Sequence, residues 1–468
     1  MREVGKAIAY ILVVAVVALA AVMGGLTFKQ VVAVTVLAIF IAGSLFYWTF
    51  RNAFALFGVS LLLILHTIDI EHLVMHSQLD VILFIVGMMI IIGALEKRGF
   101  FDWLISSMLK PVIDKPVALI AILLFLGYVM AALVDEVTSI LFTMSIMLRI
   151  LEAYDVDPIP FIVFLVFTTN IGSSATVVGN PIGVLIAFNA GFSFLDFIRW
   201  STPASLLAVA SIIGIALLVL KGYIEKMRAK IERGEVAEVR KLVEVKWGPH
   251  LKAPLALFIA VLAGLIMHHD LEKVLGLPHN ALLLGVPLLG AAAALFMEHR
   301  HARDIVEHHV DWWTLLYFIL LFGSVGTLAY TGVTKVIASA VYKISASNEV
   351  IAMLLMSGVA GFLTAFMDNV LAVATLIPVV KALGAYMNVF MLWWVLLMAG
   401  TYWGNATVIG STANIVAAGY LEKKYKRTFS MTGWMKIGVP ICIISYAIAF
   451  LWLYAQLGIA PHWVPPTH

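Results

Sequence analysis

The chain has 468 residues, 63% of them hydrophobic and 12% charged, with a formal net charge of +3 and a mean hydropathy of +1.04. Soluble globular chains carry about 25% charged residues, so this composition excludes a soluble protein and indicates a polytopic membrane protein partnered by the lipid bilayer. The small charge gives no basis for a nucleic-acid partner, and a single cysteine, Cys442, excludes an internal disulfide, a cysteine-rich metal site and a paired-thiol redox centre.

In chain order, Arg2 and Lys6 precede an apolar run to Met23, which predicts an extra N-terminal transmembrane helix within residues 1–30, retained rather than cleaved. Apolar runs follow at 31–50, 53–65, 81–95, 117–134, 137–150, 161–188 and 202–220. Several fall short of the ~20 residues that cross a bilayer, so the pair meeting at Asp135 predicts a re-entrant hairpin. Residues 221–252 hold nine Lys or Arg and five Glu, which predicts a cytoplasmic linker, solvated and amphipathic. The second half runs through 254–267, 281–297, 312–330, 350–367, 370–380, 389–418 and 437–454.

Two stretches interrupt this apolar pattern. Residues 168–183, TTNIGSSATVVGNPIG, and residues 400–414, GTYWGNATVIGSTAN, put hydroxyls, amides, glycine and, in the first, proline where a helix should continue. Proline removes a backbone donor and glycine weakens a helix, and broken backbone at membrane depth is tolerated only inside protein or against a cavity. Ala175-Thr-Val-Val-Gly179 matches Ala406-Thr-Val-Ile-Gly410 at an offset of 231, and Asp80 to Thr176 spans 96 residues, as does Asp311 to Thr407. The chain is therefore a tandem repeat: residues 31–220, the linker 221–252, residues 253–457 and a tail 458–468.

Charge then orients the copies. Residues 67–80 have no Lys or Arg whereas residues 298–311 have Arg300 and Arg303; residues 190–201 have only Arg199 whereas residues 421–436 have Lys423, Lys424, Lys426, Arg427 and Lys436. Equivalent loops thus lie on opposite sides, which makes the repeat inverted, with hairpin tips at Asp135 and Asp368 meeting near the midplane. The predicted fold class is an all-α polytopic membrane protein with two re-entrant hairpins and two broken transmembrane helices.

The ionisable residues embedded in these runs are Asp135, Glu136 and Asp368. A charge at a helix centre costs at least ~2.5 to 3.5 kcal/mol on insertion scales, so such carboxylates point to ion or proton binding. Burial favours the protonated carboxyl and a bound cation favours the ionised one, so proton and cation compete, as antiport requires. Around them stand Asn170, Ser173, Ser174, Thr176 and Asn180 in one half and Asn369, Asn405, Thr407, Ser411, Thr412 and Asn414 in the other. This oxygen-rich set suits a hard cation, with sodium placed at Asp135, Asp368, Asn170 and Asn405, while helix N-termini exposed at the breaks suit an anion. His66, His72 and His76 in one loop, and His299, His301, His308 and His309 in another, read as solvated interfacial residues.

Leu133-Val-Asp-Glu-Val-Thr138 and Phe366-Met-Asp-Asn-Val370 resemble the hairpin tips of the ion transporter superfamily, in its branch of arsenite permeases, NhaD-type sodium/proton antiporters and the melanosomal P protein, with a citrate transporter-like domain. Residues 169–176 and 404–414 resemble that branch's broken-helix motifs. The resemblance implies inverted repeats and a homodimer with elevator-like movement. Two departures stand out: Glu136 replaces the usual Asn of the first tip, and Gly179-Asn-Pro-Ile-Gly183 replaces Gly-Asp-Pro-Pro-Asn, as though a carboxylate had moved to the hairpin. The expected function is secondary active transport of a small inorganic ion in the plasma membrane, proton- or sodium-coupled, foremost cation/proton antiport. No enzyme activity and no cofactor is expected, and no nucleotide-binding phosphate loop occurs that would serve a pump. The alternatives are efflux of arsenite or another anion, and an anion channel; an intramembrane hydrolase is a weaker rival.

Overall fold

A computed structural model describes residues 2–235, 237–242 and 248–466. The linker expected over 221–252 and the tail expected over 458–468 lie partly outside these. The protein is all-α, and among the described residues nine helices are long and apolar enough to cross a membrane. The first, Arg2–Met23, is almost wholly exposed along its apolar sides and packs on Phe28–Phe46.

The two halves repeat one order of elements. Leu79–Lys97, Phe100–Leu109, Pro116–Leu133 and Glu136–Ala153 in the first have counterparts Trp312–Tyr330, Val333–Ile344, Glu349–Phe366 and Asn369–Leu383 in the second. Both apolar runs that carry the polar stretches are split. Residues 161–188 become Ile159–Gly172, a short turn Val177–Gly179, and Pro181–Ala190; residues 389–418 become Phe390–Tyr402, Trp403–Ala406 and Thr412–Tyr425.

Each hairpin is two packed helices joined at a two-residue tip, Val134-Asp135 or Met367-Asp368. The tip aspartates act as N-caps. Asp135 Oδ1 accepts from the amides of Val137 and Thr138, both at 2.8 Å, and Asp368 Oδ1 from those of Val370 at 3.0 Å and Leu371 at 3.2 Å. They satisfy amides that a helix start otherwise leaves unpaired.

The open ends of the two hairpins have different surroundings. Beside the first, Asp114 pairs with Arg240 of the linker, Glu152 with Lys424 and Asp157 with Arg427. Beside the second, Lys381 shares a small cavity with His76, Gln78 and Asn189. The two tips themselves meet, Asn369 of one approaching Glu136 of the other. The stretch 67–80, read as a loop, contains a helix, Ile70–His76, because Asp69 caps it through the His72 amide.

Candidate functional site

The repeated Thr-Val-x-Gly motif ties each broken helix to the hairpin of its own half. Thr176 Oγ1 donates to the Ala132 carbonyl and Thr407 Oγ1 to the Ala365 carbonyl. Three residues on, a Cβ at Gly179 would lie 2.4 Å from Ser173 O and 3.0 Å from Ala131 O, and one at Gly410 would lie 2.6 Å from Gly404 O and 3.0 Å from Thr364 O. Only glycine lets the break fold back on its own backbone and against the hairpin this closely. The threonine supplies the bond and the glycine the clearance, which explains why the motif occurs once in each half.

Behind the tips, amides link the two broken helices. Asn170 Nδ2 donates to Asn405 Oδ1 at 2.6 Å and Asn414 Oδ1 at 2.8 Å, and its own Oδ1 accepts from Ser411 Oγ at 2.9 Å. Asn414 Nδ2 closes the second break by donating to the carbonyls of Gly404 and Thr407, both at 2.7 Å. Ser173 and Ser174 bond back to Asn170 O and Ile171 O within their own helix. All of these residues are buried.

Between the tips sits the Glu136 carboxylate, 5% exposed. Asn369 Nδ2 approaches both of its oxygens at 3.4 Å, Ser411 Oγ approaches Oε1 at 3.4 Å, and Asn180 Nδ2 approaches Oε2 at 3.5 Å. Asn369 is the counterpart of Glu136 in the other tip, and Ser411 that of Asn180 in the other broken helix. Ordinary hydrogen bonds to oxygen fall near 2.7–3.2 Å, so these donors surround the carboxylate without closing on it. The two positions that depart from the family motifs face each other: the acid in the tip meets the amide in the broken helix.

A cavity of about 370 Å³ leads to this carboxylate. Asp135, Glu136, Asn180, Asp368, Asn369 and Thr412 line its inner part, and Glu96, His308, His309, Asp311 and Thr314 line the part toward the surface. Asn170, Ser173, Ser174, Thr176, Asn405, Thr407, Ser411 and Asn414 lie outside this lining, in the scaffold around it. The set expected to hold sodium thus divides: Asp135 and Asp368 line the cavity and cap helices, while Asn170 and Asn405 bond to each other.

The outer part of the cavity was not foreseen from the sequence, where His308 and His309 read as solvated. The only local signal was Gly93, at which a Cβ would lie 2.7 Å from His309 Cβ, so that the loop packs directly on the helix Leu79–Lys97. His309 Nε2 is 3.8 Å from Glu96 Oε2, and Lys97 Nζ is 2.5 Å from Asp304 Oδ2. The Lys97 ammonium holds the exposed Asp304 carboxyl below the usual carboxylate range.

A second omission is Arg51, placed between two apolar runs by sequence yet 4% exposed in the fold. Its guanidinium lies over the Trp48 ring at 3.9 Å and donates to Thr314 Oγ1 at 3.1 Å, one side chain removed from the cavity. Its Nε and Nη1 have no hydrogen-bond partner among the described residues. Cation–π contact offsets part of that desolvation.

The sequence model of a family described as citrate transporter matches residues 2–399. An uncharacterized transporter of Mycobacterium tuberculosis is 30% identical over 384 residues, covering 80% of this chain and 86% of that protein. The P protein of Mus musculus is 24% identical over 460 residues, covering 82% of this chain and 54% of its own length. Among solved structures, the Alcanivorax borkumensis YdaH transporter, described as having an unusual topology, aligns with a TM-score of 0.55 and 14% identity over 82% of this chain and 87% of that one. That likeness shows the fold.

Proposed function

Because the chain belongs to the citrate transporter family and is a multi-pass membrane transporter of the ion transporter superfamily, we propose that it carries out secondary active transport in which Glu136 binds proton and cation in competition, foremost as a cation/proton antiporter of the plasma membrane. The observation that carries this reading is one buried carboxylate at the inner part of a cavity, met by polar side chains from both halves at 3.4–3.5 Å, with no Lys or Arg in the lining. A dehydrated cation gains most where oxygens are loosely placed and can close in; a proton on the same carboxylate removes that gain.

A second reading is carriage of a multiply charged carboxylate such as citrate. It is favoured by the family's description and by Arg51, whose guanidinium reaches the cavity wall through Thr314. Since the lining is acidic, the anion would have to travel with protons or a cation.

Proteoliposomes holding a pH-sensitive dye separate the readings. External sodium, lithium or potassium should raise internal pH under antiport, and citrate should lower it under proton symport. Glu136→Gln should abolish either signal. A flux that dissipates an ion gradient without coupled movement of protons or of a second ion would mark a channel and overturn both readings, as would the absence of both a pH signal and citrate uptake with all ions, arsenite included.

A further inference from the structure

The helix Lys252–Leu275 starts at the basic linker and runs 24 residues, roughly 36 Å at 1.5 Å per residue, so its last turns lie on the opposite face. There His269 and Glu272, three apart on one side of the helix, meet His279 from the turn 276–280. That turn folds back through left-handed backbone at Gly276 and Asn280. One donor atom from each of the three residues lies within 4.8 Å of the others, and the rings of His269 and His279 are 6.1 Å apart at 88°.

We propose that His269, Glu272 and His279 form a binding site for a divalent transition-metal ion of the zinc class, on the face opposite the linker. Two imidazoles and a carboxylate match the donor preference of zinc; calcium and magnesium prefer all-oxygen sites. Zinc–ligand bonds of ~2.0–2.1 Å in a tetrahedron put donor atoms about 3.4 Å apart, so binding draws the three together by roughly 1.4 Å at most. His279, exposed on a turn, can supply that movement.

Glu272 is already oriented. Its Oε1 accepts from the amides of Leu282 at 2.7 Å and Leu283 at 3.4 Å and its Oε2 from the Asn280 amide at 3.2 Å, capping the next helix while Oε2 keeps a lone pair for a metal. An independent observation lies next to it. His268 is fully buried, its Nδ1 is 2.7 Å from Leu265 O, and its Nε2 has no partner among the described residues. Its ring stands edge-on to that of His269 at 6.4 Å, so a third imidazole with a free nitrogen borders the site. Gly191, where a Cβ would be 3.3 Å from His279 Nε2, ends the broken-helix segment Pro181–Ala190, so a bound ion would also stiffen the approach to that element.

The test is zinc binding to the full-length, tag-free protein in detergent, by competition with a fluorescent chelator. One zinc per chain is expected. His269→Ala and His279→Ala should each weaken affinity at least tenfold, and His279→Gln, which keeps the side chain's polarity, should do the same. His308→Ala and His309→Ala, at the cavity, should bind as the native protein does, and X-ray absorption should show nitrogen and oxygen neighbours only. Equal zinc binding by native protein and the His269→Ala/His279→Ala double variant would overturn the proposal, as would loss of binding on changing His308 or His309 instead. No transport is read, so this outcome is separate from that of the transport assay.

Discussion

Glu136 and Asp135 are adjacent carboxylates with unlike surroundings. The Asp135 oxygen is committed to two backbone amides, whereas Glu136 meets only distant side-chain donors. Asparagine caps a helix about as well as aspartate, and alanine loses about 1 kcal/mol. Asp135→Asn and Asp368→Asn should therefore fold as the native protein does and lose coupled transport, while Asp135→Ala should also unfold at a lower temperature in detergent. Glu136→Gln and Glu136→Asn should retain stability and abolish the coupled pH signal across pH 5.5 to 9. Superimposable pH profiles for the native protein and both variants would leave Glu136 no part in coupling.

At the scale of elements, the same threonine–glycine pair ties each broken helix to the hairpin backbone of its own half. Thr407→Val leaves the buried Ala365 carbonyl without its partner, at a cost of about 1–3 kcal/mol. Gly410→Ala forces a methyl against the Gly404 and Thr364 carbonyls, where overpacking costs typically ~1–3 kcal/mol. Thermal unfolding of the two variants, and of Thr176→Val and Gly179→Ala in the other half, should show losses of similar size. A loss confined to one half would mean that the motif serves the two hairpins differently.

Across the whole molecule, basic residues of the linker and of the segment 421–427 pair with acids at the open end of the first hairpin, and the inverted repeat expected from the sequence predicts that the second hairpin opens to the other side. Cysteine introduced at Arg228 or Lys424 should label from the cytoplasm and at Glu71 from outside; all three sites are exposed, and the native Cys442 is buried. Labelling of Glu71 and Lys424 from one side would rule out the inverted arrangement. The homodimer implied by the resemblance predicts twice the chain mass for detergent-solubilised protein in native mass spectrometry.

Composition and apolar run length by themselves determined the membrane class, because a bilayer admits few solutions for a chain this apolar. Repeated motifs located both hairpin tips and both helix breaks, since Asp, Gly and Pro act on local backbone wherever they fall. Tertiary structure alone decided which polar groups share one space. It set Glu136 against Asn180, Asn369 and Ser411, turned the tip aspartates back onto their own helices, and drew Asn170 and Asn405 into the scaffold. It also buried Arg51, and it assembled His269, Glu272 and His279 across a left-handed turn. Contacts between residues 275 positions apart, such as Glu136 and Ser411, depend on which helices pack together, and the pattern within one helix does not name its partner.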